Sequence, residues 1–182
     1  MIGVRDKVTK KWLFFYTKPA KSASSCIQKS LPSSLEAVIP YGFSAQNEIH
    51  DHFTLEQINK AFPKLIGYIK EEKIPYISLC RNPYERYCSI KNYHNVLYKD
   101  CGSREEFLNS LRYLYTEQWK YFVFDDETIV TPYKVEETKS LFGFDLVKAN
   151  ANCCKPSFLT PADKEFVREF YKNDFELFGY SY

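Results

Sequence analysis

The chain has 182 residues, 45% hydrophobic and 18% aromatic, with 15 tyrosines and 15 phenylalanines. That length and composition exclude a disordered chain and predict one domain, residues 1–182, with a sizeable core. The net charge of +2 is too small to make nucleic acid the main partner, and no apolar run approaches the ~20 residues that a membrane-spanning helix needs.

Arg5, Lys7, Lys10 and Lys11 precede an apolar run, Trp12 to Tyr16, that is too short for a signal-peptide core. The expectation is a cytoplasmic protein. The six cysteines, Cys26, Cys80, Cys88, Cys101, Cys153 and Cys154, match no zinc spacing, and Cys153-Cys154 is an adjacent pair rather than C-x-x-C. Reduced thiols are expected, and no metal site.

Lys11 to Thr17 reads as a buried strand and Ser24 to Leu31 as the helix after it, broken by Pro32-Ser33-Ser34. Residues 36–41 form a short second strand. Thr54 opens a helix, with Gln57 three residues later completing a capping box. Ile74 to Cys80 is another buried strand, and Asn82 caps a helix that has Pro83 first and Glu85 third. A helix is predicted from Ser103 to about Tyr115. Strand-like pieces follow around the acidic turn Asp125-Asp126-Glu127. Val135 to Phe142 reads as a helix stopped by Gly143, and Thr160-Pro161-Ala162-Asp163 opens a last helix with Phe166, Val167, Phe170 and Tyr171 on one face. Strands alternating with helices predict an α/β fold with a central parallel sheet flanked by helices.

Two of these strands run into a basic residue, hydroxyls and a helix start. The first is Thr17-Lys18-Pro19-Ala20-Lys21-Ser22-Ala23-Ser24-Ser25-Cys26, and the second is Arg81-Asn82-Pro83-Tyr84-Glu85-Arg86-Tyr87-Cys88-Ser89. Backbone N–H groups at a helix start face anions, so each turn suits a phosphate. Two of them suit a ligand with phosphates at both ends, and 3′-phosphoadenosine 5′-phosphosulfate (PAPS) has that shape. Lys21-Ser22 ends like a Walker A loop, but both glycines of that motif are absent. The bland alternatives are a Ser-rich N-cap beside a surface lysine, and a helix-start arginine, although a cation there is unfavourable without an anion.

Phe14-Phe15-Tyr16-Thr17-Lys18-Pro19-Ala20-Lys21-Ser22-Ala23-Ser24-Ser25-Cys26-Ile27 resembles the 5′-phosphosulfate loop of PAPS-dependent sulfotransferases. The nearest pattern is that of the carbohydrate and heparan 2-O-type branch, roughly F-x-H-x-P-K-T-A-G-T-S-I. Arg81 to Ser89 is similar to the family's 3′-phosphate element, R-[DN]-P-x-x-R-x-x-S. Tyr171-Lys172-Asn173-Asp174-Phe175 through Phe178-Gly179-Tyr180 is similar to its closing helix, Y-x-x-D-F-x-x-F-G-Y, and Asn152 to its upstream asparagine. The chain departs from the family in having Tyr16 or Thr17 where a histidine is common, Ala20 for a proline, Ser24 for a glycine, Lys91 for a tyrosine and Lys134 for an acid.

The resemblance implies a P-loop-type three-layer fold and transfer of the sulfuryl group from PAPS to a hydroxyl, leaving 3′-phosphoadenosine 5′-phosphate (PAP), with no metal required. Lys21 would neutralise the bridging oxygen, and Lys21, Ser22, Ala23, Ser24, Ser25 and Cys26 would hold the 5′-phosphate. Arg81 and Ser89 would fix the 3′-phosphate with help from Lys155. Arg86 would assist or pair with an acid. Of three histidines, His50 and His52 lie where the family carries its base, and His52-Phe53-Thr54 matches its H-x-T start; an imidazole suits proton removal near neutral pH. A capping or surface histidine cluster is the alternative, and His94 reads as structural. The acceptor is expected to be a glycan or a small hydroxyl-bearing molecule, with neither nucleic acid nor membrane as partner. Two other functions remain: a kinase or NTPase of related fold, which would need Mg²⁺, and an idle module that binds nucleotide or polyanion.

Overall fold

The computed structural model describes residues 1–23, 25–39, 52–97, 112–147 and 156–182. Its first half runs β1 (Ile2–Asp6), β2 (Trp12–Tyr16), α1 (Ser25–Ser30), β3 (Leu35–Val38), α2 (Leu55–Ala61), α3 (Leu65–Glu71), β4 (Tyr76–Cys80) and α4 (Pro83–Leu97). Next come α5 (Arg112–Tyr115), a 3-10 turn (Gln118–Tyr121), β5 (Val123–Phe124), β6 (Glu127–Thr128), β7 (Thr131–Lys134), β8 (Ser140–Leu141) and β9 (Phe144–Asp145). A 3-10 turn at Pro156–Phe158 leads to α6 (Pro161–Phe170) and α7 (Lys172–Phe178).

β2 and β4 lie inside the sheet and, Ser78 apart, carry apolar and aromatic residues on both faces, as suits a central strand. Phe14, Phe15 and Tyr16 are all fully buried. Their side chains alternate between two cores. Phe15, Tyr76 and Cys80 face a cluster completed by α2, α3 and Phe178. Phe14, Tyr16, Ile77 and Leu79 face a second cluster with Ile2, Val4 and Ile27.

The five-stranded sheet has the order β3-β1-β2-β4-β7. β2 pairs parallel with β4, and β4 with β7, whereas β1 pairs antiparallel with both β2 and β3. The fold is therefore mixed α/β, and the expected parallel sheet holds only for β2, β4 and β7. The difference comes from β1, an unexpected strand that makes a tight hairpin with β2. Gly3 in β1 is required by close packing: a Cβ there would lie 2.5 Å from the Trp12 ring and 2.8 Å from that of Phe15. Arg5 pairs with Glu36 of β3 at 2.7 Å and lies over the Trp12 ring.

The predicted capping box forms at Thr54/Gln57, and the predicted helix start at Thr160 carries a second one with Asp163. Asn82 Oδ1 accepts from the N–H groups of Tyr84 and Glu85 at 3.0 and 3.4 Å, with Pro83 as first helical residue. The helix expected over Val135 to Phe142 is absent: that stretch is a turn followed by the β8–β9 hairpin. The Thr138 hydroxyl bonds back to the Lys134 carbonyl at 2.7 Å, and Phe142-Gly143 supplies the two positive φ values of a tight hairpin turn. Asp125-Asp126 does the same between β5 and β6. The last helix is two, meeting at Tyr171, and Gly179 ends it in the left-handed conformation. Val167 and Tyr171 are buried as expected, but Phe166 and Phe170 are exposed.

Among the described residues no helix is long and apolar enough to cross a membrane. Cys26, Cys80 and Cys88 are buried thiols outside any disulfide. Burial pushes the Cys80 thiol up to about 12. Cys101, Cys153, Cys154, Asn152 and the expected helix start at Ser103 lie outside the described residues.

Gly3→Ala tests the β1–β2 packing. We expect a loss of roughly 1–3 kcal/mol, the usual result of forcing a methyl group into a filled core, read as a lower midpoint in urea. A neutral result would mean that the Trp12 ring moves aside at no cost.

Candidate functional site

β2 and β4 are neighbours running the same way, so the segments leaving their C-terminal ends emerge side by side. In open α/β sheets that is where ligands bind. The first segment keeps its place through backbone pairing: Thr17 N–H donates to the Ile77 carbonyl at 3.2 Å, and the Ser78 hydroxyl to the Thr17 carbonyl at 3.1 Å.

The loop then turns tightly. Ser22 N–H bonds to Pro19 O at 3.3 Å and Cys26 N–H to Ala23 O at 2.8 Å. Lys21 and Ala23 have φ of 61° and 57°, left-handed values that non-glycine residues adopt at a cost. Left-handed residues on either side of Ser22 turn successive N–H groups into the kind of concavity that binds anions. This loop carries more of the geometry than α1 does, because α1 has only six residues. The Ser22 and Cys26 N–H groups are committed within the loop, which leaves those of Ala23 and Ser25 as the described donors.

Lys21 is partly buried, its ammonium 4.3 Å from the centre of the Tyr93 ring. Burial, and then the charge of Arg81, lowers its pKa below the ordinary lysine value. The two predicted cations are thus close enough to repel each other. Arg81 leans on Glu85, with Nε and Nη2 3.3 and 3.2 Å from the same carboxylate oxygen. An internal acid therefore answers the cation at this helix start. Ser89 is half-buried on α4.

Three residues that the sequence reading did not single out for this role hold the two segments together. Buried Gln118 accepts from the Ser22 hydroxyl at 2.7 Å and from the Arg81 N–H at 2.9 Å, and donates to the Arg81 carbonyl at 2.8 Å. Its own N–H, and that of Trp119, donate to buried Asp174 at 2.9 and 2.8 Å. Burial raises the Asp174 carboxyl above its ordinary value, against the pull of Arg86. Arg86 is 1% exposed and donates to the carbonyls of Ala20, Leu114 and Thr116 at 2.8, 2.9 and 2.7 Å. It is thus a scaffold for the first loop, paired with neither Glu85 nor a surface acid.

His52 reaches the same corner. Its Nδ1 is 2.6 Å from the Lys18 carbonyl, an acceptor, so Nδ1 carries the proton and the Nε2 lone pair is the basic atom. Its carbonyl accepts from the Tyr121 hydroxyl at 3.0 Å. Lys91 binds both Asp163 oxygens at 2.9 Å, tying α4 to the start of α6. His94 falls on α4, and His50, Ser24 and Lys155 lie outside the described residues. The structure therefore brings Lys21, Ser22, Arg81 and His52 to one corner, and Ser22 turns its hydroxyl inward to Gln118. A cleft of about 230 Å³ opens between the start of α2 and the stretch from Trp119 to Asp125, lined by Thr54, Glu56, Trp119, Lys120 and Phe124 among others. Lys21, Arg81 and His52 do not line it. Among the described residues no group of His, Cys, Asp or Glu is arranged to hold a metal ion.

Asp174 had a visible signal, since it shares the helical face of Val167, Tyr171 and Phe178 and so places an acid among core residues. Gln118 had none. No protein-family model, curated protein or solved structure matches the chain.

The closeness of the two cations is testable by NMR titration of the lysine side chains. Lys21 should titrate below the ordinary ~10.4 and move upward in Arg81→Gln. A Lys21 that titrates normally in both proteins would separate the two cations.

Proposed function

We propose that the chain is a sulfotransferase that moves the sulfuryl group of PAPS to a hydroxyl acceptor on a P-loop-type fold. The observation that carries this reading is the pair of cationic segments at adjacent parallel strand ends, with Lys21 and Arg81 close enough to repel. A ligand with an anion at each end relieves that repulsion.

In this reading the 5′-phosphosulfate lies against the loop at 21–25 and the 3′-phosphate against Arg81, which exchanges part of its contact with Glu85 for the dianion. Ser89 and Lys155 assist at the 3′ end. The acceptor oxygen attacks sulfur, and the bond from sulfur to the bridging oxygen breaks. The electron pair stays on the departing phosphate, where the Lys21 ammonium neutralises it, giving PAP. His52 Nε2 takes the acceptor's proton, since the Lys18 carbonyl fixes the Nδ1–H tautomer. As in phosphoryl transfer, positioning and charge supply most of the acceleration. A glycan or a small hydroxyl compound fits as acceptor.

The test is thermal unfolding with PAP and with ATP plus Mg²⁺, followed by transfer of labelled sulfate to a panel of hydroxyl acceptors. PAP at a hundred times its dissociation constant should add about 2.7 kcal/mol of stability, an effect absent in Lys21→Ala and Arg81→Ala. His52→Asn can keep an N–H toward Lys18 yet has no base, so turnover should fall by roughly 10²- to 10⁴-fold with PAP binding unchanged. Stabilisation by ATP and Mg²⁺ alone would make the chain a kinase or NTPase instead, and PAP binding without transfer to any acceptor would make it an idle binding module.

A further inference from the structure

We infer that Gln118 is a positioning residue that locks the two anion segments at one fixed spacing, so that the site prefers a nucleotide with two phosphates over one with a single phosphate. The inference rests on the reading of these segments as the two ends of one nucleotide site.

The bonding is specific in direction. Both groups facing Gln118 Oε1 are donors, the Ser22 hydroxyl and the Arg81 N–H, and both facing Nε2 are acceptors, the Arg81 carbonyl and Asp174. The amide orientation is therefore set by its neighbours. One side chain holds the first segment by a side chain and the second by both polar atoms of a backbone unit. Ser22 and Gln118 are 96 residues apart and Gln118 and Arg81 are 37 apart, so Gln118 adds a long-range link at the segment tips to the β2–β4 pairing and the Arg86 bond to the Ala20 carbonyl. Gln118 is itself immobilised, because Asp174 takes the N–H groups of Gln118 and Trp119. Ser22, Gln118 and Asp174 are buried and the bonds to Arg81 and Trp119 are partly so, and away from water an unmade hydrogen bond is costly.

A fixed spacing matters for a ligand that must touch both segments at once. Each phosphate then binds at the distance set by the nucleotide, and binding one end places the other. If the segments drift, each can still accept an anion, but the benefit of joining the two anions in one molecule is reduced. Gln118 touches neither anion in this arrangement and acts only through Ser22 and Arg81.

The experiment is calorimetric titration of wild type, Gln118→Met and Gln118→Asn with PAP and with adenosine 5′-monophosphate. Gln118→Asn keeps a polar amide in the buried site but is one methylene too short to reach both segments, so it guards against a Gln118→Met protein that fails to fold. In wild type PAP should bind more tightly than the monophosphate. That preference should fall about tenfold in either folded variant, the equivalent of one or two hydrogen bonds, with monophosphate affinity within about twofold of wild type. Equal weakening of both ligands, or an unchanged preference, would overturn the positioning role and leave the nucleotide site standing. A wild-type protein that does not prefer PAP would remove the nucleotide reading itself, and the inference with it.

Discussion

Parallel pairing of β2 with β4 is the constraint on which the rest depends. It sends two loops, distant in sequence, out of the same edge of the sheet. The register sets Tyr16 beside Ile77, and β4 runs on to Cys80, so the second loop begins beyond the first. Aromatic burial on both faces makes this pairing firm: Phe15 is locked into one core while Phe14 and Tyr16 are locked into the other. A shift by one residue would send every one of these rings to the wrong face.

Upon that frame sits a second layer of polar constraint. Arg86 reaches from α4 to the Ala20 carbonyl, and Asp174 reaches from α7 to the turn at Gln118. Both are ionisable groups held inside the protein, and each takes several hydrogen bonds, with Arg86 Nη1 left unpartnered. Their mutual attraction partly offsets the burial that raises the Asp174 carboxyl. The outcome is a loop with two left-handed non-glycine residues, held in that form by contacts from three separate parts of the chain. Strain of this kind persists only where the surroundings over-determine it. Lys21, with its partly buried ammonium and its lowered pKa, is the chemical consequence.

Local signals carried much of this fold. The capping residues Thr54, Asn82 and Thr160 marked three helix starts, and the aromatic run Trp12–Tyr16 marked a central strand, because caps and buried runs are determined by near neighbours. Where the partner is remote, the sequence was silent or misleading. β1 carries a glycine and ends in charges, and only packing against Trp12 makes it a strand. Val135 to Phe142 has helix-compatible residues, yet Phe142-Gly143 adopts a hairpin turn that competes successfully. At the site, Lys21, Arg81 and His52 were legible as chemistry-bearing residues at strand ends. Gln118 was not, since an isolated glutamine has no pattern until the three segments that it joins are folded together. Arg86 was legible as part of a spacing but not as a core residue, because a cation at a helix start reads as an anion ligand rather than as a donor to three carbonyls.

The central claim is that the ends of β2 and β4 form one site for a ligand with two anionic groups. A crystal structure of the protein soaked with PAP tests it most directly. The account predicts the 5′-phosphate within hydrogen-bond distance of Lys21 and of the loop N–H groups, and the 3′-phosphate within hydrogen-bond distance of Arg81. Nucleotide bound elsewhere, or held at only one of the two segments, would contradict it.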